Sequence, residues 1–212
     1  RYEVLWIADE IITGFGRTGR YFASEYWNAV PDMIVFGKAA SSGYLPLGGV
    51  VISDRIRQSF IDKGETFAHV FTYVNNPVAM RVCGTVLDII EEEGIIAHVV
   101  EVGAYLAERA QGFREYPCVG DVRTKGLMMG IELVREKESK TPFAPEEGMS
   151  ARGTALALER GLHISGVPGV ADWVRGDDLR FYPPLIITRE QVDEVVGIID
   201  EVLGELTREA GL

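Results

Sequence analysis

The sequence contains few cysteines, no dense group of lysines or arginines, and no long apolar stretch. Cys83 and Cys118 have neither metal-binding nor redox-motif spacing, and each lies among apolar residues, which predicts free thiols in a reducing, cytoplasmic compartment. With 21 basic against 32 acidic residues the formal charge is -11, which disfavours nucleic acid and anionic membranes as partners. The longest charge-free stretch, residues 39–53, is interrupted by glycines and a proline, so we expect no membrane span.

What is present is the composition of a globular protein, with 47% of 212 residues hydrophobic and 25% charged. The first residue is Arg1, and the apolar run over residues 4–8 predicts a buried strand almost immediately. A strand at that point needs neighbours that earlier residues normally supply. We therefore expect this sequence to be part of a longer chain.

Short apolar runs bounded by glycine and proline predict an α/β sheet whose strands are covered on both faces. These runs occupy residues 4–8, 33–36 and 48–53. Asn76 and Pro77 predict the start of a helix that stops at Gly94, because asparagine caps helices and proline suits the first helical position. A second, longer helix is expected from Ile95 to about Phe113.

The pattern after Pro117 predicts a second α/β unit. Residues 119–134 are expected to form two adjoining antiparallel strands, and residues 145–160 a helix. A strand interrupted by two prolines is expected within residues 179–188, followed by an amphipathic helix that Thr188 caps. We therefore predict two domains, residues 1–110 and 111–212.

Lys38 and Asp9 are the first candidates for chemistry. Lys38 follows a predicted strand in a neighbourhood without other charges, where lost hydration would lower its pKa and favour the neutral amine that Schiff-base formation needs. From composition alone, an ammonium at a loop surface is the favoured interpretation. Asp9 and Glu10 end the first strand, at the edge where α/β sheets bind ligands. These carboxylates either form a structural ion pair or hold the protonated ring nitrogen of a ligand. Because side chains alternate along a strand, Ile11 lies on the same face as Asp9.

Gly14, Gly16 and Gly19 match the G-x-G-x-x-G pattern of dinucleotide-binding folds. In those folds the glycines follow the strand directly and open a long helix, whereas here Pro31 ends any helix from Ser24 after about two turns. Turn glycines are the favoured interpretation. A nucleotide-binding or structural α/β module stays open as the alternative from another class.

Further candidates are residues that bind anions. Thr72 precedes the helix start at Asn76, so its hydroxyl could bind a phosphate group or cap the helix. Arg180 lies among aromatic residues and prolines and should pair with a carboxylate of the protein or of a substrate, whereas Arg175 is a more solvated candidate. His69 and His163 have no partners at metal-ligand or triad spacing, so we expect no metal.

Taken together, these segments closely resemble the class III pyridoxal-phosphate aminotransferases of fold type I. The resemblance covers nearly the whole chain in order: DEIITGFGRTG at 9–19, GKA at 37–39, SGYLPLG at 42–48, FTY at 71–73, NPVA at 76–79, VGDVR at 119–123, LRF at 179–181 and PPLIIT at 183–188. It implies the C-terminal part of the large, cofactor-binding domain followed by the small C-terminal α/β domain.

The resemblance also implies roles for individual residues. Lys38 would bind pyridoxal 5′-phosphate as a Schiff base and shuttle a proton, Asp9 would lie under the pyridine nitrogen, and Ile11 would pack on the ring. Thr72 resembles a threonine that reaches the cofactor phosphate of the neighbouring subunit, which implies a homodimer with shared active sites. Arg180 matches an arginine that engages a substrate carboxylate, and Arg175 lies near a mobile arginine of some amine transaminases.

The implied activity is a ping-pong transamination from an ω-amino acid or amine donor to a keto acid such as pyruvate. Ile12 stands where other subfamilies have glutamine, which favours this group. Relatives are about twice as long, so the rest of the site is expected in a missing N-terminal half. An aminomutase of the same family, which needs no external keto acid, is the nearest alternative.

Overall fold

The computed structural model describes residues 4–69, 72 and 74–212. The chain forms two compact units, Arg1–Ala97 and His98–Leu212, so the division falls before the boundary that we expected at residue 110. Both units combine helices with a sheet, which confirms the α/β class. No helix among the described residues is both long and apolar enough to cross a bilayer.

A three-stranded sheet organises the first unit. Its strands are β1 (Ile7–Asp9), β2 (Met33–Phe36) and β3 (Gly49–Ile52), in that order. Strands β1 and β2 are parallel, whereas β3 pairs with β2 in the antiparallel direction. The prediction for β2 is confirmed in full, but β1 begins later than residue 4 and extends to Asp9.

The expectation that these strands are covered on both faces is wrong for β1, where Ile7 is 54% exposed, and for β3. Val50, Val51 and Ile52 are 55%, 54% and 42% exposed. Strand β3 lies at the edge of the sheet and, among the residues that the structure describes, pairs with β2 alone. The described residues provide no layer that buries these three side chains.

Two helices follow β3 in the first unit. Helix α1 (Asp54–Lys63) ends at Gly64, and helix α2 (Pro77–Glu92) is followed by Gly94 in the left-handed conformation. The side chain of Asn76 accepts hydrogen bonds from the backbone N–H groups of Val78 and Ala79, at 3.0 and 3.3 Å. The predicted start and end of α2 are therefore confirmed.

An antiparallel sheet with strand order β4-β5-β7-β6 forms the second unit. Its strands are β4 (Val119–Lys125), β5 (Met128–Leu133), β6 (Ser165–Pro168) and β7 (Asp177–Phe181). Its helices are α3 (Ile95–Arg109), which begins before the boundary, α4 (Met149–Glu159) and α5 (Arg189–Glu209).

Side chains from α5 and the sheet form the core of the second unit. Leu179 and Phe181 of β7 are buried, as are Leu203 and Leu206 of α5. The hydroxyl of Thr188 accepts the backbone N–H of Gln191, which confirms the predicted cap of α5. Because side chains alternate along a strand, the residues between the core positions of β7 face away from this core.

Candidate active site

The parallel pairing of β1 and β2 places Asp9 and Lys38 at one edge of the sheet. Asp9 is the last residue of β1 and pairs with Val35, and Lys38 lies two residues beyond the end of β2. Parallel strands have their carboxyl ends at the same edge and lie about 4.8 Å apart. The two candidate groups therefore flank the edge at which α/β sheets bind ligands.

The carboxylate of Asp9 is available to a ligand. Its side chain accepts one hydrogen bond, from the backbone N–H of Ile11 at 3.1 Å, and the residue is exposed. Among the described residues, no lysine, arginine or histidine lies within ion-pair distance of it. The structural ion pair that the sequence left open is therefore not formed by Asp9 in this part of the chain.

Glu10 points the other way and is 3% exposed. It accepts the backbone N–H groups of Ser24 (2.7 Å) and Ala23 (3.0 Å) and the hydroxyl of Thr13. Burial alone would raise the pKa of Glu10, but these hydrogen bonds outweigh it and hold the pKa below the usual value. Glu10 therefore secures the glycine-rich segment beside the candidate site.

Replacing Glu10 with glutamine should destabilise the first unit by about 1 to 3 kcal/mol, because one amide oxygen cannot accept all three donors. Urea unfolding measures this loss, and Glu65→Gln, at an exposed position, is the matched control. The lowered pKa means that the carboxylate stabilises the fold above the ordinary glutamate pKa of about 4.3 and loses that effect in acid. A deficit that is the same at pH 7 and in acid would contradict this assignment.

The glycine-rich segment forms turns. Gly16 and Gly19 have φ values of 93° and 87°, and the backbone N–H of Gly16 donates to the carbonyl of Arg20 at 3.1 Å. Only a short 3-10 helix, Ala23–Trp27, follows. The long helix of a dinucleotide-binding turn is not formed, which favours the turn-glycine interpretation.

Lys38 has an unusual backbone conformation and an exposed side chain. Its φ is 45°, in the left-handed region that costs a residue with a Cβ about 1 to 2 kcal/mol. It begins the 3-10 helix Lys38–Ser41. The expected loss of hydration is not observed, because the described residues leave the side chain exposed. Within them, its ammonium has no ion-pair partner.

Ile11 lies beside the chain segment that carries Lys38. A Cβ built on Gly37 would stand 3.9 Å from Cγ2 of Ile11. Ile11 is half-buried, and the following Ile12 is 42% exposed. The structure thus places Asp9, Ile11 and the segment that carries Lys38 at one edge of the sheet, and the roles that the resemblance implies for them stay predictions.

Thr72 belongs to the same unit and lies in a turn four residues before Asn76, with its side chain exposed. Its two neighbours in the resemblance motif, Phe71 and Tyr73, lie outside the described residues. The role of Thr72 at a cofactor phosphate stays a prediction.

Both candidate arginines lie in the second unit. Nε of Arg180 on β7 donates to both carboxylate oxygens of Asp178, at 3.1 and 2.9 Å. Burial raises the pKa of Asp178, and this ion pair opposes the rise without cancelling it. Arg175 is exposed and pairs with Asp172 at 2.8 Å. The pKa of Asp172 is lowered to about 2 by hydrogen bonds from the backbone N–H and side chain of Arg175 and from a second backbone N–H.

Asp178 is a residue that the sequence did not single out. Its side chain is 6% exposed, and it lies two positions before Arg180 on the same face of β7. The two-residue spacing was the only signal in the sequence. An ordinary strand offers many such pairs, so the spacing alone carries little information.

Comparisons with known proteins agree with the resemblance. The family model for class-III aminotransferases matches residues 1–203. The chain is 36% identical to the putrescine–pyruvate aminotransferase of Pseudomonas aeruginosa, over 97% of this chain and 43% of that protein.

Solved structures support the same assignment. A transaminase from the marine bacterium Virgibacillus superposes with a TM-score of 0.90 at 34% identity, over 98% of this chain and 46% of that one. An omega transaminase from Pseudomonas jessenii in complex with PMP superposes with a TM-score of 0.88 at 33% identity, over 99% of this chain and 45% of that one. The chain spans just under half the length of these relatives. The match to the family model over nearly all of its length shows that this chain belongs to the class-III aminotransferases, which have fold type I.

Proposed function

We propose that the protein is a pyridoxal-phosphate-dependent transaminase that moves an amino group from an ω-amino acid or amine to a keto acid such as pyruvate. Family membership and the named activity of the Pseudomonas aeruginosa relative support this reaction. The PMP complex of the Pseudomonas jessenii enzyme supports the cofactor. The convergence of Asp9, Ile11 and Lys38 at one sheet edge is the observation that carries the proposal.

These three residues fit a pyridine aldehyde. Within the described residues, the amine of Lys38 has no ion-pair partner and the carboxylate of Asp9 accepts only the backbone N–H of Ile11. Ile11 supplies an apolar branched side chain beside the segment that carries Lys38. Pyridoxal phosphate, when bound, acts as an electron sink for the carbanion at the substrate carbon. Asp9 keeps a proton on the ring nitrogen, Ile11 packs on the ring face, and Lys38 holds the cofactor and then carries the proton to and from the substrate carbon.

One site then serves two substrates in turn, as in a ping-pong mechanism. The donor leaves its nitrogen in the site and departs before the keto acid enters. Arg180 binds a substrate carboxylate, and Arg175, in an exposed loop, adjusts to substrates without one. Each arginine therefore contributes to specificity, while the chemistry stays at Lys38.

The site is completed by other parts of the protein. The first unit is part of the large domain and the second is the small C-terminal domain. The N-terminal half that the relatives have, and that lies outside this sequence, supplies the remaining cofactor contacts. Thr72 reaches the cofactor phosphate of a second subunit, so the protein is a homodimer with shared sites. The two free cysteines favour the cytoplasm.

A spectroscopic titration tests the proposal. The protein, expressed from its complete reading frame, should develop the absorption band of covalently bound pyridoxal phosphate. Putrescine alone should bleach this band, and pyruvate should restore it, because the two half-reactions are separate. Failure to bind pyridoxal phosphate, or a band that no amine bleaches, would contradict the proposal.

The two alternatives give different results in the same experiment. An aminomutase would convert one amino acid into an isomer without any keto acid. A nucleotide-binding module would be stabilised against heat by nucleotides and would not respond to pyridoxal phosphate. The turns at Gly16 and Gly19 give this second alternative no support.

A further inference from the structure

The outer face of the second sheet carries two neighbouring rows of charged residues. One row crosses the strands through Asp121, Glu132 and Asp178, which stand opposite one another in the register. The next row crosses the same strands through Arg123, Gly130 and Arg180. Directly opposite side chains on a sheet lie about 5 Å apart, so each row forms one continuous surface.

The two arginines are engaged to different extents. Arg123 donates through one terminal nitrogen to Glu132 at 2.9 Å and to Asp121 at 3.2 Å. Arg180 donates to Asp178 only through Nε. Among the described residues, no acceptor binds its two terminal nitrogens. The two terminal nitrogens of Arg180, which can bind both oxygens of a carboxylate, are therefore available to a ligand.

Gly130 keeps the surface between the arginines open. A Cβ built there would meet no atom within 4 Å, so the glycine is not required by packing. Gly130, Arg123, Asp178 and Arg180 line an open depression of about 320 Å³. This space is large enough for a small organic acid.

We propose that Asp178 is a positioning residue that fixes Arg180 so that its terminal nitrogens bind a substrate carboxylate over Gly130. The proposal rests on the proposed function, since it concerns how the acceptor and carboxylate-bearing donors bind. Asp178, on the same strand, accepts hydrogen bonds from Nε of Arg180 and so restricts the rotation of the long arginine side chain. An ordered guanidinium loses less entropy when it binds a carboxylate.

The direction of one mutational effect separates positioning from simple electrostatics. Asp178 is negative and lies beside the site, so its charge alone opposes an anion, and its removal should tighten pyruvate binding. Positioning predicts the opposite. Asp178→Ala should raise the KM for pyruvate about tenfold, at little cost in kcat, because Arg180 is no longer held.

Two matched variants sharpen this test. Asp178→Asn keeps an oxygen that can accept from Nε, so it should recover most of the lost affinity although it also lacks the charge. Glu132→Gln removes a charge from the same row without touching Arg180, and it should not raise the KM. A lower or unchanged KM in Asp178→Ala, or a failure of asparagine to rescue it, would overturn the proposal.

Donor half-reactions provide a second readout that a merely structural role would not change. Asp178→Ala should weaken the half-reaction with 4-aminobutyrate, which has a carboxylate, and leave that with putrescine unchanged. Equal losses with both donors would refute a role in carboxylate binding.

Gly130→Val gives an independent test if Asp178→Ala does not fold. Valine suits a strand, and a Cβ at this position meets no atom within 4 Å, so the melting temperature should hold while pyruvate binding weakens. Undiminished pyruvate binding by a folded Gly130→Val protein would overturn the proposal.

Ligand-detected NMR of pyruvate with the protein separates the positioning role of Asp178 from the proposed function. Pyruvate binding that Asp178→Ala weakens, in a protein without any transaminase activity, would reject the proposed function but support this inference.

Discussion

Replacing Lys38 with glycine is expected to abolish transamination while the protein stays as stable as before or gains stability. The loss of turnover should reach at least about a thousandfold, because the amine serves both as the covalent attachment point and as the proton carrier. Spectra should show no covalently bound cofactor. Turnover by the Lys38→Gly protein at the wild-type rate would refute the assignment.

The gain in stability follows from the backbone at Lys38. Its φ of 45° is unfavourable for any residue with a Cβ and is freely adopted by glycine. Relief of this strain should add up to about 1 kcal/mol to the free energy of unfolding. The proposed catalytic role of the amine gives a reason for keeping lysine at a position where it costs stability.

Two control variants separate the amine from its charge. Lys63→Ala removes the only other lysine of the first unit, at the exposed end of α1, and should leave turnover unchanged. Lys38→Arg keeps the positive charge but cannot supply a neutral amine, so it should be inactive. Activity in the arginine variant would mean that position 38 contributes charge alone.

Features that depend on local chemistry could be predicted from the sequence. The cap of α2 at Asn76 and that of α5 at Thr188 are formed by side chains that bind the backbone a few residues away. The whole of β2 was evident because Met33–Phe36 is a short apolar run between turn residues. In each case the signal and the structure lie within a few positions of each other.

Features that depend on distant partners could not be predicted in this way. Strand β6 contains two glycine or proline residues out of four and exists because it pairs with β7. Helix α1 was not predicted, because its three apolar residues lie among seven polar ones and none of its side chains is fully buried. The row of carboxylates that includes Asp178 is visible only once the register of three strands is known.

The candidate site lies between these two cases. Resemblance to a family singled out Lys38 and Asp9, whereas composition alone favoured a surface lysine and a structural ion pair. The parallel register of β1 and β2 brings both to one edge, a non-local fact that no spacing in the sequence contains. The exposure of Lys38 agrees with the surface-lysine alternative, because the described residues do not supply the neighbours that the expected loss of hydration requires.

Asp9→Asn should reduce turnover at least about a hundredfold although the fold and the shape of the site are kept. The amide can still accept the N–H of Ile11, so the local turn survives. What disappears is the negative charge that holds a proton on the ring nitrogen, and charge placed in advance at a reacting centre is commonly worth this much. Asp62→Asn, on the exposed surface of α1, is the matched control.

The form of the Asp9 defect distinguishes catalysis from simple binding. If Asp9 acts on the ring nitrogen, kcat should fall while cofactor saturation can be restored by excess pyridoxal phosphate. If Asp9 only anchored the cofactor, that excess would restore turnover as well. Since Asp9 has no cation partner among the described residues, its carboxylate has no structural ion pair to lose, and a large fall in kcat at full cofactor occupancy would assign its charge to the reaction.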